Sequence, residues 1–220
     1  MTETLYVQLL DLACGGLLLA AVLVLWRRDL SVIIRMFALQ GVALGVLIAV
    51  LAAHQSSVEL WVVAVGLLIL RAGVLPLLLA RALSAAGPAR RETRPLVNVA
   101  ASLLAAAVLA LLAYAVSRPL VALAPSPATQ AIPVGFTVVL IGFFVLVTRR
   151  RALSQLVGFL LMDNGITTVG FLTTASVSLV VELGVSLDVL LAVLVLRILS
   201  ARIQETFGDA DLDELAELHD

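Results

Sequence analysis

Seven long apolar runs fill most of the chain, at 5–26, 32–53, 60–83, 96–117, 133–148, 152–174 and 179–201. A helix needs roughly 20 apolar residues to cross about 30 Å of hydrocarbon. Every backbone polar group must be satisfied internally in lipid, so runs this continuous predict helices. The pattern therefore predicts an all-α, polytopic membrane protein with about seven transmembrane helices over 1–203, followed by a tail at 204–220. The fifth run is short, at about 24 Å of helix. Its flanking Arg149 can snorkel to the headgroups, or the helix can sit inside a bundle.

Breakers punctuate the runs. Gly87 and Pro88 lie in 84–95, and Pro119, Pro125 and Pro127 fill 118–130. Thr148-Arg149-Arg150-Arg151 predicts a tight turn between two helices. Arginines alternate with the loops. Arg27 and Arg28 follow the first run, and Arg90, Arg91 and Arg94 follow the third beside Arg81. Arg149, Arg150 and Arg151 follow the fifth. The intervening loops hold only Arg118. Positive charge stays on the cytoplasmic side, so this asymmetry predicts an outside N-terminus, a cytoplasmic C-terminus and an odd number of spans. The first run has no basic segment before it, its first charge being Glu3, and it reaches Trp26; it reads as a span rather than a signal peptide.

Composition strengthens the membrane reading. Of 220 residues, 62% are hydrophobic and 13% charged, against about half and a quarter in soluble domains. Mean hydropathy is +1.16. A net charge of −1 without a basic tract gives no nucleic-acid surface. Cys14 stands alone in an apolar run, and His54 and His219 are isolated, so no disulfide, zinc or iron–sulfur motif is present in the sequence. There is no nucleophile–base set or glycine-rich phosphate loop either. Gly41 and Gly45 form a small-xxx-small pair that predicts a packing face on the second helix. The tail changes character abruptly, with Glu205, Asp209, Asp211, Asp213, Glu214, Glu217 and Asp220 around Leu212, Leu215 and Leu218. It reads either as a solvated end or as a short helix that docks on a cytosolic partner.

Ionisable residues inside the spans are the candidate chemistry, because a charge at the bilayer centre costs at least ~2.5–3.5 kcal/mol. At 1.5 Å per residue, Arg71 lies about 16 Å from the outer end of its helix, Asp163 about 16 Å from the inner end of its own, and Asp188 about 14 Å from the outer end. All three fall near the midplane. Glu182 lies about 5 Å and Asp11 about 9 Å below the outer surface. Glu182 and Asp188 point about 120° apart on one helix. Arg197 is close enough to the inner end to snorkel. Two readings are open: a polar track that holds or passes protons, or one Arg–Asp pair that fixes helix packing. A guanidinium does not deprotonate in proteins, so Arg71 can only hold a carboxylate ionised. The chain has no lysine, so no lysine wire runs through it.

The segment Gly158-Phe159-Leu160-Leu161-Met162-Asp163-Asn164-Gly165, with Val181-Glu182-Leu183-Gly184-Val185-Ser186-Leu187-Asp188, resembles the hydrogenase-4 component E family. These are membrane subunits of nickel–iron hydrogenase and formate-hydrogenlyase-type complexes related to respiratory complex I. The family carries glutamate where Asp163 stands, while Glu182, Gly184 and Asp188 match it. Arg71 and Pro76 match its basic residue and proline in the third span, with arginine replacing the lysine of some members. The last three helices also resemble the K-type subunit of complex I. Glu182 looks like that subunit's third-helix carboxylate, and Asp163 stands about one turn from its second-helix one.

The resemblance implies a non-redox membrane subunit of a hydrogenase-type complex, without activity of its own. Asp163, Glu182, Asp188 and Arg71 would contribute to a proton or coupling path, with Asp11 and Asn164 as secondary candidates. It implies no cofactor in this chain, and nickel–iron and iron–sulfur centres in partners. Those partners would be other membrane-arm subunits and a cytosolic hydrogenase module, at the cytoplasmic membrane of a prokaryote. A structural anchor and a stand-alone secondary transporter are the alternatives. Against the transporter, no internal repeat or matched pair of broken helices is visible.

Overall fold

The computed structural model describes residues 1–85 and 97–173. The span expected at 179–201 with Glu182, Asp188 and Arg197, the tail at 204–220, and the basic loop at Arg90, Arg91 and Arg94 lie outside the described residues. Among those described, every regular element is helical. The helices are α1 (Glu3–Trp26), α2 (Leu30–Gln55), α3 (Val58–Leu67), α4 (Leu75–Ala85), α5 (Val99–Leu123), α6 (Pro127–Gln130), α7 (Ile132–Thr148) and α8 (Ala152–Thr173). A π-helical stretch, Leu68–Val74, joins α3 to α4 in one rod. Taking α3–α4 and α6–α7 as continuous rods, six described helices are long and apolar enough to cross a membrane.

Short connections force neighbouring helices to run antiparallel. Between α1 and α2, Asp29 caps the incoming helix by accepting from the Ser31 amide at 2.9 Å. Between α2 and α3, Ser56 adopts φ 54°, a left-handed conformation that ends α2 and reverses the chain. The Ser57 hydroxyl then accepts from the Leu60 amide to start α3. Arg149 to Arg151 connect α7 to α8. The two central helices are α2 and α8; α1 packs on α2 and α7, α3–α4 packs on α2, and α5 packs on α7 and α1.

Glycines set how closely the helices approach. A Cβ on Gly142 would lie 2.7 Å from Met162 Cα and 2.8 Å from the Gly158 carbonyl. One on Gly165 would lie 2.5 Å from the Val139 amide, and one on Gly158 2.6 Å from the Leu146 amide. The α7–α8 hairpin is therefore in backbone-to-backbone contact along its seam. Gly135 and Gly142, like Gly158 and Gly165, are seven residues apart, the period that keeps one seam facing a partner helix. Gly41 and Gly45 do form a packing face, turned toward the rod of α3–α4. A Cβ on Gly41 would meet the Arg71 carbonyl carbon and oxygen at 2.7 Å, and one on Gly45 would meet Leu68 at 3.0 Å.

Three segments differ from expectation. The region 118–130 is mostly helix rather than loop, because α5 runs through Pro119 to Leu123. Proline removes one backbone bond there, near the helix end, and ending the helix earlier in apolar surroundings would leave more groups unsatisfied. The fifth run is not short, since α6 extends the rod to Pro127–Thr148, 22 residues. A capping box between Ser126 and Thr129 starts it. Arg149 does not snorkel: it is buried and donates to the carbonyls of Val24 and Leu25 at 3.2 Å and of Arg27 at 3.3 Å. Those carbonyls are the unsatisfied acceptors at the C-terminal end of α1, where the helix dipole favours a cation.

Candidate functional site

Two apolar clusters divide the bundle along its long axis. One holds Val24, Ile33, Phe37, Leu75, Val145 and Leu161, and the other Leu10, Leu17, Leu44, Leu51, Leu67 and Leu172. Between them, on each of α2, the π stretch and α8, lies buried polarity: Gln40, Arg71, Asp163, Asn164, Thr167 and Thr168. Arg71 is the middle residue of the rod Val58–Ser84, and Asp163 is at the middle of Ala152–Thr173. The polar layer therefore sits at mid-depth with apolar packing on both sides.

Arg71 organises the layer. It is 1% exposed and Asp163 2%. Its Nη2 lies 2.5 Å from Asp163 Oδ2 and donates to Thr167 Oγ1 at 3.1 Å. Its Nη1 donates to Asn164 Oδ1. The Asn164 side-chain amide donates to Gln40 Oε1 at 2.8 Å, and Gln40 Nε2 donates to the Leu17 carbonyl at 3.3 Å. Thr168 Oγ1 returns to the Asn164 carbonyl at 2.7 Å. A single polar chain thus links α1, α2, the π stretch and α8.

The local sequence explains how Arg71 is presented. The Leu75 amide bonds five residues back, to the Leu70 carbonyl, so the turn carrying Arg71 is wider than an α-turn. Pro76 follows directly, and in a regular α-helix its ring would crowd the carbonyl four residues back, that of Ala72. Single wide turns of this kind recur at functional sites. Gly41 then lets α2 close onto the Arg71 backbone.

The structure brings Arg71, Asp163 and Asn164 together. It leaves Asp11 exposed on α1, away from the cluster. Glu182 and Asp188 lie outside the described residues. Gln40 and Thr167 are cluster members that the sequence reading passed over. Gln40 is a lone amide in the middle of an apolar helix, and Thr167 follows Asp163 by four residues, hence shares its face. Those were the traces that each left in the sequence. The described residues hold no group of three or more His, Cys, Asp or Glu side chains fit for a metal ion. What the cluster can do chemically is hold one carboxylate against one fixed cation, with two amides and a hydroxyl in reach.

Fold and polar layer together define a multi-pass α-helical membrane protein. The chain belongs to one family with the uncharacterized protein Rv0085 of Mycobacterium tuberculosis, to which it is 51% identical over 212 residues, 96% of each chain. It is also 32% identical over 117 residues to hydrogenase-4 component E of Escherichia coli and of Shigella flexneri. That match spans 53% of this chain and 54% of each relative. No family model matches the chain. No solved structure matches it.

Proposed function

We propose that this chain is a non-redox membrane subunit of a hydrogenase-type complex related to respiratory complex I, and that its midplane carboxylate takes part in a proton or coupling path. The observation that carries the reading is the closed Arg71–Asp163 pair, tied to Asn164 and Thr167 and set between two apolar clusters. The half-chain likeness to hydrogenase-4 component E supports a hydrogenase-type complex. Arg71 sets a fixed positive charge beside the Asp163 carboxylate, which is this chain's midplane step on the path. Glu182 and Asp188 supply the neighbouring steps. Electron chemistry belongs to nickel–iron and iron–sulfur centres in a cytosolic module, with further membrane-arm subunits beside this chain in a prokaryotic cytoplasmic membrane.

Asp163→Asn and Glu182→Gln in the intact complex test the path, with hydrogen turnover and proton translocation measured together. The expected outcome is assembly retained and translocation per turnover lowered several-fold. Unchanged turnover and translocation in both variants removes the path and leaves a structural anchor. The anchor reading draws on the same pair, since Arg71 and Asp163 also bolt α8 to the rod of α3–α4. It predicts that neutral Asp163 is tolerated, while Arg71→Leu or deletion of 204–220 disperses the complex on native gels. A stand-alone transporter would instead purify in mild detergent as a small homo-oligomer without partners.

A further inference from the structure

We infer that Gln40 is a positioning residue of the membrane site, acting through Asn164 to hold Arg71 on Asp163. The inference rests on reading the Arg71–Asp163 pair as the working site. Arginine has donors and no acceptor, so Asn164 must turn its oxygen toward Nη1. The Asn164 nitrogen is then directed to the other side, where a buried donor needs an acceptor. Gln40 Oε1 provides it at 2.8 Å. Gln40 Nε2 must in turn face an acceptor, and it reaches the Leu17 carbonyl at 3.3 Å. Reversing either amide would set donor against donor and acceptor against acceptor. The last acceptor is helix backbone and cannot rotate. The Leu17 carbonyl at one end and the guanidinium at the other therefore demand the same orientation of both amides, and Gln40 is the residue that ties the two ends together. Gln40 and Asn164 are both fully buried, so water does not substitute for either.

The side-chain chemistry of position 40 gives separable variants. Gln40→Met keeps length and removes both hydrogen bonds. Gln40→Glu in its neutral form, recognised by its own protonated-carboxyl band, keeps both: its hydroxyl donates to the Leu17 carbonyl and its carbonyl accepts from Asn164. The readout is the infrared carboxylate stretch of Asp163 in full-length protein reconstituted in lipid vesicles, assigned by its loss in Asp163→Asn. Gln40→Met is expected to shift that band, and Gln40→Glu to leave it at the wild-type frequency. In an Asn164→Ala background, Gln40→Met should produce no further shift, because the connection is already cut. An unmoved band in Gln40→Met, even with lowered thermal stability, makes Gln40 a packing residue and overturns the inference. A shifted band in Gln40→Glu overturns it too, and that variant decides the matter if Gln40→Met does not accumulate. None of these measurements needs partners or turnover. A shifted band with unchanged translocation in the assembled complex would thus remove the functional reading and leave the role of Gln40 standing.

Discussion

Arg71 carries a full charge at a depth where water is excluded, and three side chains of α8 surround it. Removing one partner of such a pair leaves the other charge buried and alone, which costs about 3–5 kcal/mol, whereas replacing both by apolar groups is often neutral. Asp163→Leu is therefore expected to lower unfolding stability in detergent by about that amount. The double variant Asp163→Leu, Arg71→Met should recover most of the loss; equal destabilisation by single and double variants would show that the charge pair is not what is lost. The residues of this cluster were only partly legible. Depth counted along each run marked Arg71 and Asp163 as midplane charges, because a rise of 1.5 Å per residue applies to any straight helix. Gln40 escaped because an amide carries no formal charge, and Thr167 because threonines are common in apolar helices.

At the scale of elements, the α7–α8 hairpin and the α2 face against Arg71 depend on glycine for different neighbours but for one physical reason. Backbone meets backbone there, and a methyl has nowhere to go. Gly142→Ala is expected to cost about 1–3 kcal/mol by overpacking. Gly66, with nothing within 4 Å of a Cβ, is the control: Gly66→Ala should be neutral or stabilising by up to about 1 kcal/mol. Thermal unfolding of both in one detergent distinguishes a packing seam from a general intolerance of substitution. Gly41 and Gly45 were readable from their spacing of four. The seven-residue spacing of Gly135/Gly142 and Gly158/Gly165 marked a seam on each helix, but that the two seams meet each other follows only from the antiparallel register. The wide turn at Arg71 was equally hidden, since a π stretch and an α-helix share the same apolar pattern; Pro76 was the local trace of it. Pro119 misled in the opposite direction, as a membrane helix continues through a proline where neighbouring groups satisfy the freed backbone carbonyl.

For the whole molecule, six apolar runs of the sequence correspond to six membrane-length helices, because hydrophobic length is a bulk requirement of the bilayer. Their arrangement was not legible, since it follows from side-chain contacts between distant segments. Orientation is a separate matter, resting on arginine placement. In a Cys14→Ser background, a membrane-impermeant thiol reagent applied to intact cells is expected to label Ser57→Cys and to spare Arg28→Cys and Arg150→Cys; the reverse pattern inverts the topology. The polar chain across the bundle also has a consequence for biosynthesis. Asn164 follows Arg71 by 93 residues. At about 5–20 residues per second, roughly 5–20 s separate the emergence of the arginine from that of its acceptors. During that interval the guanidinium has entered the insertion machinery ahead of every α8 group that will neutralise it. The rod of α3–α4 must then be chaperoned, held near the headgroups, or retained beside the translocation channel until α8 arrives. Docking of α8 is thus the step that brings Asp163, Asn164 and Thr167 onto Arg71.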